Sequence, residues 1–190
     1  MEGVSLGDNI FFVNGNMPRE FPDITLEEGY ASFLWEPSLG EIVPRGMPYF
    51  PFGVWWVMHF TRIFSNTNYS ILLIRYHDSL VHRSIVTPGY FRFPFMQKED
   101  LQIGDTWTSP EHRGKGLAVF AIRKIIAGVA NKKRRIWYIV EKNNIPSIKA
   151  AEKAGFVRYG EGVRRNRFGV GVLGYYAIEN RLDNTACSTK

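Results

Sequence analysis

Arg113, Gly114, Lys115 and Gly116 stand together in the run Ser109-Pro110-Glu111-His112-Arg113-Gly114-Lys115-Gly116-Leu117-Ala118. Glycines let the backbone approach a ligand closely, and the first N–H groups of a helix point outward without partners. Those donors, the helix dipole and two cations (Arg113 and Lys115) suit a phosphate or pyrophosphate. The run is not GxGxxG, because only Gly114 and Gly116 are present, and it is not a P-loop, because no Gly-Lys-Ser/Thr follows at the required spacing. A plain surface turn would carry the same residues. What sets this one apart is its place between a strand and a helix, with a second cluster further along: Asn144-Ile145-Pro146-Ser147 and then Lys153-Ala154-Gly155-Phe156.

Other chemistry-bearing residues are sparse. Asp105 lies on the strand just before the turn and His82 on the strand before that, so both could face a second substrate; a hydrogen-bonded structural carboxylate and a satisfied histidine are the plainer readings, and His59 reads the same way. No Cys/His/Asp spacing suggests a metal site, and no Gly-x-Ser-x-Gly elbow marks a serine nucleophile. The single cysteine, Cys187, sits in a polar tail; it excludes an internal disulfide framework and fits a reducing compartment.

The elements that must hold the turn follow from periodicity. Leu101 to Thr108 alternates as a strand, and Leu117 to Ala130 is apolar nearly all round except at Arg123-Lys124, as a helix laid on a sheet should be. Tyr69 to Tyr76 is a strongly apolar strand, and His77-Asp78-Ser79 turns it into Leu80 to Thr87. Ile136 to Glu141 is a further strand. Asn144 caps a short helix with Pro146 just inside its start, and Gly155 ends it. Phe156 to Gly160 and Gly169 to Ile178 read as two last strands with the basic loop Arg164-Arg165-Asn166-Arg167 between them. From Tyr69 the order is strand, strand, strand, helix, strand, helix, strand, strand: a mixed α/β sandwich around a central sheet, not a Rossmann repeat. Before it, Asn9 to Val13 reads as a strand, Leu26 to Trp35 as a helix or a strand, and Phe52 to Phe64 as a buried helix by its length.

The 190 residues make one domain: an extension with first helices over 1–65 packing on a core over 66–180, and a flexible tail over 181–190. Hydrophobic residues at 45% and charged residues at 22% are those of a soluble globular chain. The net charge of +6 favours anionic partners without choosing among them. The most apolar segment, Tyr49 to Phe64, is broken by Pro51, His59 and Arg62 and is too short to span a bilayer. No basic leader with an apolar run opens the chain, and a cytoplasmic protein is expected. Asn131-Lys132-Lys133-Arg134-Arg135 reads as a solvated helix end rather than a nucleic-acid patch.

Thr108 to Ala118 resembles the acyl-CoA signature of the GCN5-related N-acetyltransferases (the GNAT superfamily), Arg/Gln-x-x-Gly-x-Gly/Ala, met here by Arg113, Gly116 and Ala118. The later Asn-x-x-Ser…Lys-x-Gly-Phe run resembles that superfamily's second block, and the likeness spans Tyr69 to Ile178. It implies a mostly antiparallel central sheet with helices on both faces and a splayed strand pair at the acyl-CoA site. Acetyl-CoA is the implied donor, and no metal is implied. Backbone amides of Arg113, Gly114, Lys115, Gly116, Leu117 and Ala118 would hold the pyrophosphate; Trp107 and Thr108 would pair with the pantetheine arm, Asn144 would bond it, and Ser147 would support it.

The implied reaction is attack of an amine on the thioester carbonyl, which needs a free amine, a polarised carbonyl and a protonated leaving thiolate. The tyrosine that many members carry on the second helix is replaced here by Ala151, so Tyr138 or a water must supply the proton, or the thiolate leaves unassisted. Asp105 and His82 are the candidate bases. The Phe91–Phe95 run and Leu101 to Thr108 resemble members of the superfamily associated with surface-polysaccharide synthesis, which acylate amino sugars on nucleotide carriers, and Arg164, Arg165 and Arg167 could pair with a diphosphate. A small primary amine, with an anionic nucleotide-linked amino sugar as the preferred case, is therefore the expected acceptor, in a chain that could form a homodimer and binds no nucleic acid. A protein amine, a non-catalytic CoA sensor and a basic nucleic-acid module are the alternatives.

Overall fold

The computed structural model describes residues 5–14, 25–129, 134–167 and 170–182. In chain order the elements are β1 (Ser5–Asn14), β2 (Tyr30–Trp35), α1 (Tyr49–Phe60), β3 (Ser70–Tyr76), β4 (Ser79–Pro88), β5 (Leu101–Thr108), α2 (Leu117–Val129), β6 (Ile136–Glu141), α3 (Ile145–Lys153), β7 (Phe156–Arg167) and β8 (Val170–Arg181). The eight strands form one sheet in the order β2-β3-β4-β5-β6-β1-β7-β8. Every neighbouring pair is antiparallel except β5 with β6. The expected mixed fold, with a mostly antiparallel sheet and helices on both faces, is what the chain adopts.

One core lies between the sheet and the pair α2 and α3. Leu117, Ala121, Ile122, Ile125 and Ile126 recur at helical spacing along one side of α2 and are buried against Leu72, Ile74, Val86, Leu101, Ile103, Ile136 and Tyr138. The other core lies under α1, where Phe52, Met58, Phe64 and Tyr69 cover Ile71, Leu73 and Ile85. Side chains of β3 alternate between the two cores, which is why its sequence is apolar without a break.

Several expectations need correction. Of the two readings of Leu26 to Trp35 the strand holds, over a shorter range: a turn leads into β2 at Tyr30, paired along its length with β3. Arg164 to Arg167 is not a loop. β7 runs on through Arg167, and the hairpin turns only beyond it, with Arg164 opposite Tyr176 and Arg165 opposite Tyr175. Two of its arginines set their guanidinium groups over neighbouring tyrosine rings, Arg164 over Tyr176 and Arg167 over Tyr175. The first 65 residues contribute two strands of the sheet and one helix. β1 in particular lies between β6 and β7, with Phe11 and Phe12 fully buried on opposite faces. The Phe91–Phe95 run packs on the sheet: Phe93 stacks on Tyr176 at 5.7 Å, and Phe95 makes edge contacts with Phe11 and Trp137. Cys187, the Lys132-Lys133 pair and the tail beyond Leu182 lie outside the described residues.

Candidate functional site

A single 3-10 turn, Pro110–His112, leads from β5 to Arg113, and then Gly114 and Gly116 take φ of +78° and +77°. That left-handed backbone is open to glycine and strained for other residues, so the two glycines are what let the chain double back onto α2. Phe120 N–H donates to Gly116 O, which makes Gly116 the first acceptor of the helix and leaves the N–H groups of Leu117, Ala118 and Val119 without helical partners. Space around both glycines is open: a Cβ built on either would meet nothing within 4 Å. A bare, donor-lined turn with an unobstructed front fits a pyrophosphate. Arg113 folds back, its Nε donating to Thr108 O at 3.2 Å, and Lys115 Nζ donates to Tyr30 Oη at 3.0 Å while that hydroxyl bonds His112 Nδ1 at 2.6 Å. Both cations thus stay beside the turn, and Lys115 is drawn above its ordinary range mainly by the Tyr30 bond.

The strand that feeds the turn parts from its neighbour. β5 and β6 pair only as Leu101 with Ile136, Gln102 with Trp137 and Ile103 with Tyr138; beyond that, β5 keeps to β4 and β6 keeps to β1. The parting begins at a bulge. Gly104 faces Ile85 and Trp107 faces Arg83, so Asp105 and Thr106 together oppose Ser84, with Asp105 at φ +42°. A bulge bends its strand and strengthens its twist, and here it carries β5 away from β6. The result is a wedge with unpaired strand edges on both sides, to which an extended amide-bearing arm can bond as a further strand would.

Opposite walls of this wedge differ. Towards α1, Arg83 Nε meets Asp105 Oδ2 at 3.1 Å, and the guanidinium lies 5.3 Å from the rings of both Phe52 and Trp107. Nearby Tyr69 is buried with no partner for its hydroxyl, and its phenol is pushed well above the ordinary value by burial, with the Asp105 charge adding to it. His59 also keeps a buried Nδ1 without a partner, and burial lowers it.

Towards α2 and α3 the polar groups bond one another. His82, fully buried, has Nδ1 at 2.8 Å from Thr108 Oγ1 and Nε2 at 3.0 Å from Ser84 Oγ. Ser84 Oγ donates to Thr106 Oγ1 at 3.3 Å, and Thr106 and Ser147 both bond the Tyr138 hydroxyl. Burial takes the His82 imidazole down to about 4, with the Arg83 charge adding to it. Burial raises the Tyr138 phenol, and the bonds from Thr106 and Ser147 pull it back. Asn144 caps α3 through Oδ1, which accepts from Ser147 N–H at 3.2 Å.

The fold brings Asp105, Trp107, Thr108, Tyr138, Asn144 and Ser147 to one wedge, next to the turn from Arg113 to Ala118. His82 is beneath it rather than on it. Ala151 is fully buried in the core of α3, one helical turn after Ser147. Arg165 is taken up by Glu179 at 2.8 Å. Arg134 caps α2 through Val129 O, so the described part of the basic end is a helix terminus. Sequence reasoning missed Arg83, Ser84 and Thr106. Nothing local marks them, since β4 and β5 carry His82, Gln102, Asp105 and Thr108 as well. Among the described residues no group of His, Cys, Asp or Glu could hold a metal ion, and no helix is long and apolar enough to cross a membrane.

A strand–bulge–turn–helix unit beside a parted parallel strand pair is the arrangement that the resemblance over Thr108 to Ala118 implies. Residues 45–156, more than half of the chain, match the model of the acetyltransferase (GNAT) family, and the chain belongs to that family. Among solved structures it is similar to a GCN5-related N-acetyltransferase from Sphaerobacter thermophilus (16% identity, TM-score 0.56, covering 90% of this chain and 56% of that one). It is also similar to a tandem GNAT protein from the clavulanic acid biosynthesis pathway (15%, 0.54, 85% and 53%) and to a GNAT-family acetyltransferase from Colwellia psychrerythraea (13%, 0.51, 85% and 56%). These likenesses are of fold. The chain spans a little over half the length of each. No curated protein matches it in sequence.

Proposed function

We propose that the chain transfers an acetyl group from acetyl-CoA directly to a primary amine of a small molecule. The observation that carries this reading is the wedge between β5 and β6 opening beside the Gly114–Gly116 turn: one place for an amide-bearing arm and one for its pyrophosphate, in sequence along β5. Amides from Arg113 to Ala118 bind the pyrophosphate, with Arg113 and Lys115 adding charge. The free edge of β5 at Trp107 and Thr108 holds the arm on one side, and Asn144, with Ser147 behind it, holds the other. A backbone N–H at the bulge, from Asp105 or Thr106, is the group proposed to polarise the thioester carbonyl.

Asp105, partly exposed on the α1 side, takes the proton of the attacking amine. Tyr138 protonates the departing thiolate. Its hydroxyl stands against Ser147, on the side of α3 that also carries Ala151, so a strand supplies what the helix lacks. His82 is not placed to serve as base, since both of its nitrogens are bonded and burial keeps it neutral.

A nucleotide-linked amino sugar is the proposed acceptor. Arg167, laid over Tyr175, and Arg164, over Tyr176, supply guanidinium groups on the β7–β8 hairpin for a diphosphate. A peptide amine is the second reading, favoured by Phe50, Val54 and Val57 of α1, which are exposed. The test is release of free thiol from acetyl-CoA across a panel of primary amines that includes amino-sugar nucleotides and lysine peptides. Turnover confined to the peptides overturns the small-molecule acceptor. CoA binding without turnover anywhere leaves a sensor as the function.

A further inference from the structure

The hydrogen bonds beneath the wedge can all run in one direction. With the Ser84 hydroxyl donating to Thr106, Ser84 accepts from His82 Nε2–H, and His82 Nδ1 accepts from the Thr108 hydroxyl. At the far end the Thr106 and Ser147 hydroxyls bond Tyr138 in the sense that favours its ionised form. The line crosses three strands, from Thr108 at the rim beside the Arg113 turn, through β4, back to the β5 bulge and over to β6. It does so in an otherwise aliphatic core. Packing alone calls for apolar residues at Ser84 and Thr106, as at Val86 and Ile103 beside them.

We propose that Thr108, His82, Ser84 and Thr106 form a proton relay that recharges Tyr138 after each transfer. The proposal rests on the acyl-CoA reading above. When the thioester C–S bond breaks, the phenolic proton passes to the leaving sulfur, leaving a tyrosinate. Its oxygen draws the proton of Thr106, Thr106 that of Ser84, and Ser84 that of His82 Nε2. His82 Nδ1 takes the Thr108 proton, and water at the rim restores it. Rotation of the hydroxyls and return of the ring to its Nε2–H form reset the line. The proton that Asp105 removes from the amine goes to solvent, so the cycle balances. Tyr138 is the group that touches the reacting sulfur; the other four act through it and are positioning residues.

The test uses Thr106→Val, which keeps the shape and removes the hydroxyl, and Thr106→Ser, which restores it. Acetyl-CoA is the donor, and the acceptor is whichever amine of the panel turns over fastest with the unaltered protein. CoA binding is measured separately by calorimetry. Thr106→Val is expected to lower kcat roughly tenfold to a hundredfold, within the usual reach of acid–base assistance, with KM for acetyl-CoA unchanged. Its rate in mixed light and heavy water should fall linearly with deuterium content where the unaltered protein shows a curve, and Thr106→Ser should recover both rate and curvature. A Thr106→Val protein with full kcat overturns the relay while the transferase stands, and so does a Thr106→Ser protein as slow as the valine form. Failure of the unaltered protein to bind CoA, or to acylate any amine of the panel, overturns transferase and relay together.

Discussion

Beneath α2 and α3 the sheet carries its polar groups as neutral hydroxyls and one neutral imidazole, buried and bonded end to end. Beneath α1 it carries a carboxylate and a guanidinium, partly exposed and bracketed by Phe52 and Trp107. Both sets start from adjacent residues of the same strand, Asp105 pairing with Arg83 on one face and Thr106 with Ser84 on the other, as successive strand residues do. The difference follows from desolvation. A neutral hydroxyl can be buried for the cost of finding a partner, whereas an isolated charge cannot. The deep side is therefore suited to holding and passing protons, and the open side to meeting a charged amine.

Asp105→Asn should cost most if the open side does the base chemistry. A fall in kcat of roughly a hundredfold to ten-thousandfold is expected, the range for a lost general base, with CoA binding intact by calorimetry. Unchanged kcat would move the base elsewhere and undo the contrast. Next comes Gly116→Asp, which forces a side chain onto a left-handed backbone and sets a negative charge at the helix start. Together these should weaken CoA binding roughly a hundredfold. Binding at the unaltered affinity would sink the pyrophosphate assignment.

The buried face carries a pH signature of its own. The His82 imidazole sits near 4 when folded and returns to its ordinary 6.5 when unfolded, so between those values the unfolded chain holds the extra proton. Stability contributed by the neutral ring is full above 6.5 and is lost as pH falls towards 4, by up to about 3 kcal/mol. Urea unfolding at several pH values should show this slope flattened in His82→Gln; an identical slope in both proteins would mean the ring is not the source. The smallest effect belongs to Arg83→Met. This keeps the stacking length and removes a partly exposed ion pair, and should change unfolding free energy by less than about 1 kcal/mol.

The order of elements from Tyr69 onward was readable because each is marked by a local signal: an unbroken apolar run for β3 and a turn into β4, alternation in β5, helical spacing in α2, and a cap and a glycine around α3. The turn from Arg113 to Ala118 was readable for the same reason, its glycines and cations being neighbours in sequence. What escaped notice depends on pairing between distant strands. Nothing near Arg164 tells that Tyr175 and Tyr176 will support it as a strand, and nothing near Asp105 tells that Ser84 will face two residues. The deep polar line is of this kind, since its members come from β4, β5, β6 and α3 and meet only when the wedge forms.

β1 bears on how such a chain comes together. It precedes its two neighbours, β6 and β7, by most of the chain. Until they pair with it, Phe11 and Phe12 have no sheet to enter, and β6 has no partner beyond its short contact with β5. Closure of the sheet is therefore a non-local event, of the kind that slows folding and leaves strand edges exposed meanwhile. A half-sheet formed ahead of that closure would carry its missing strand tethered to it.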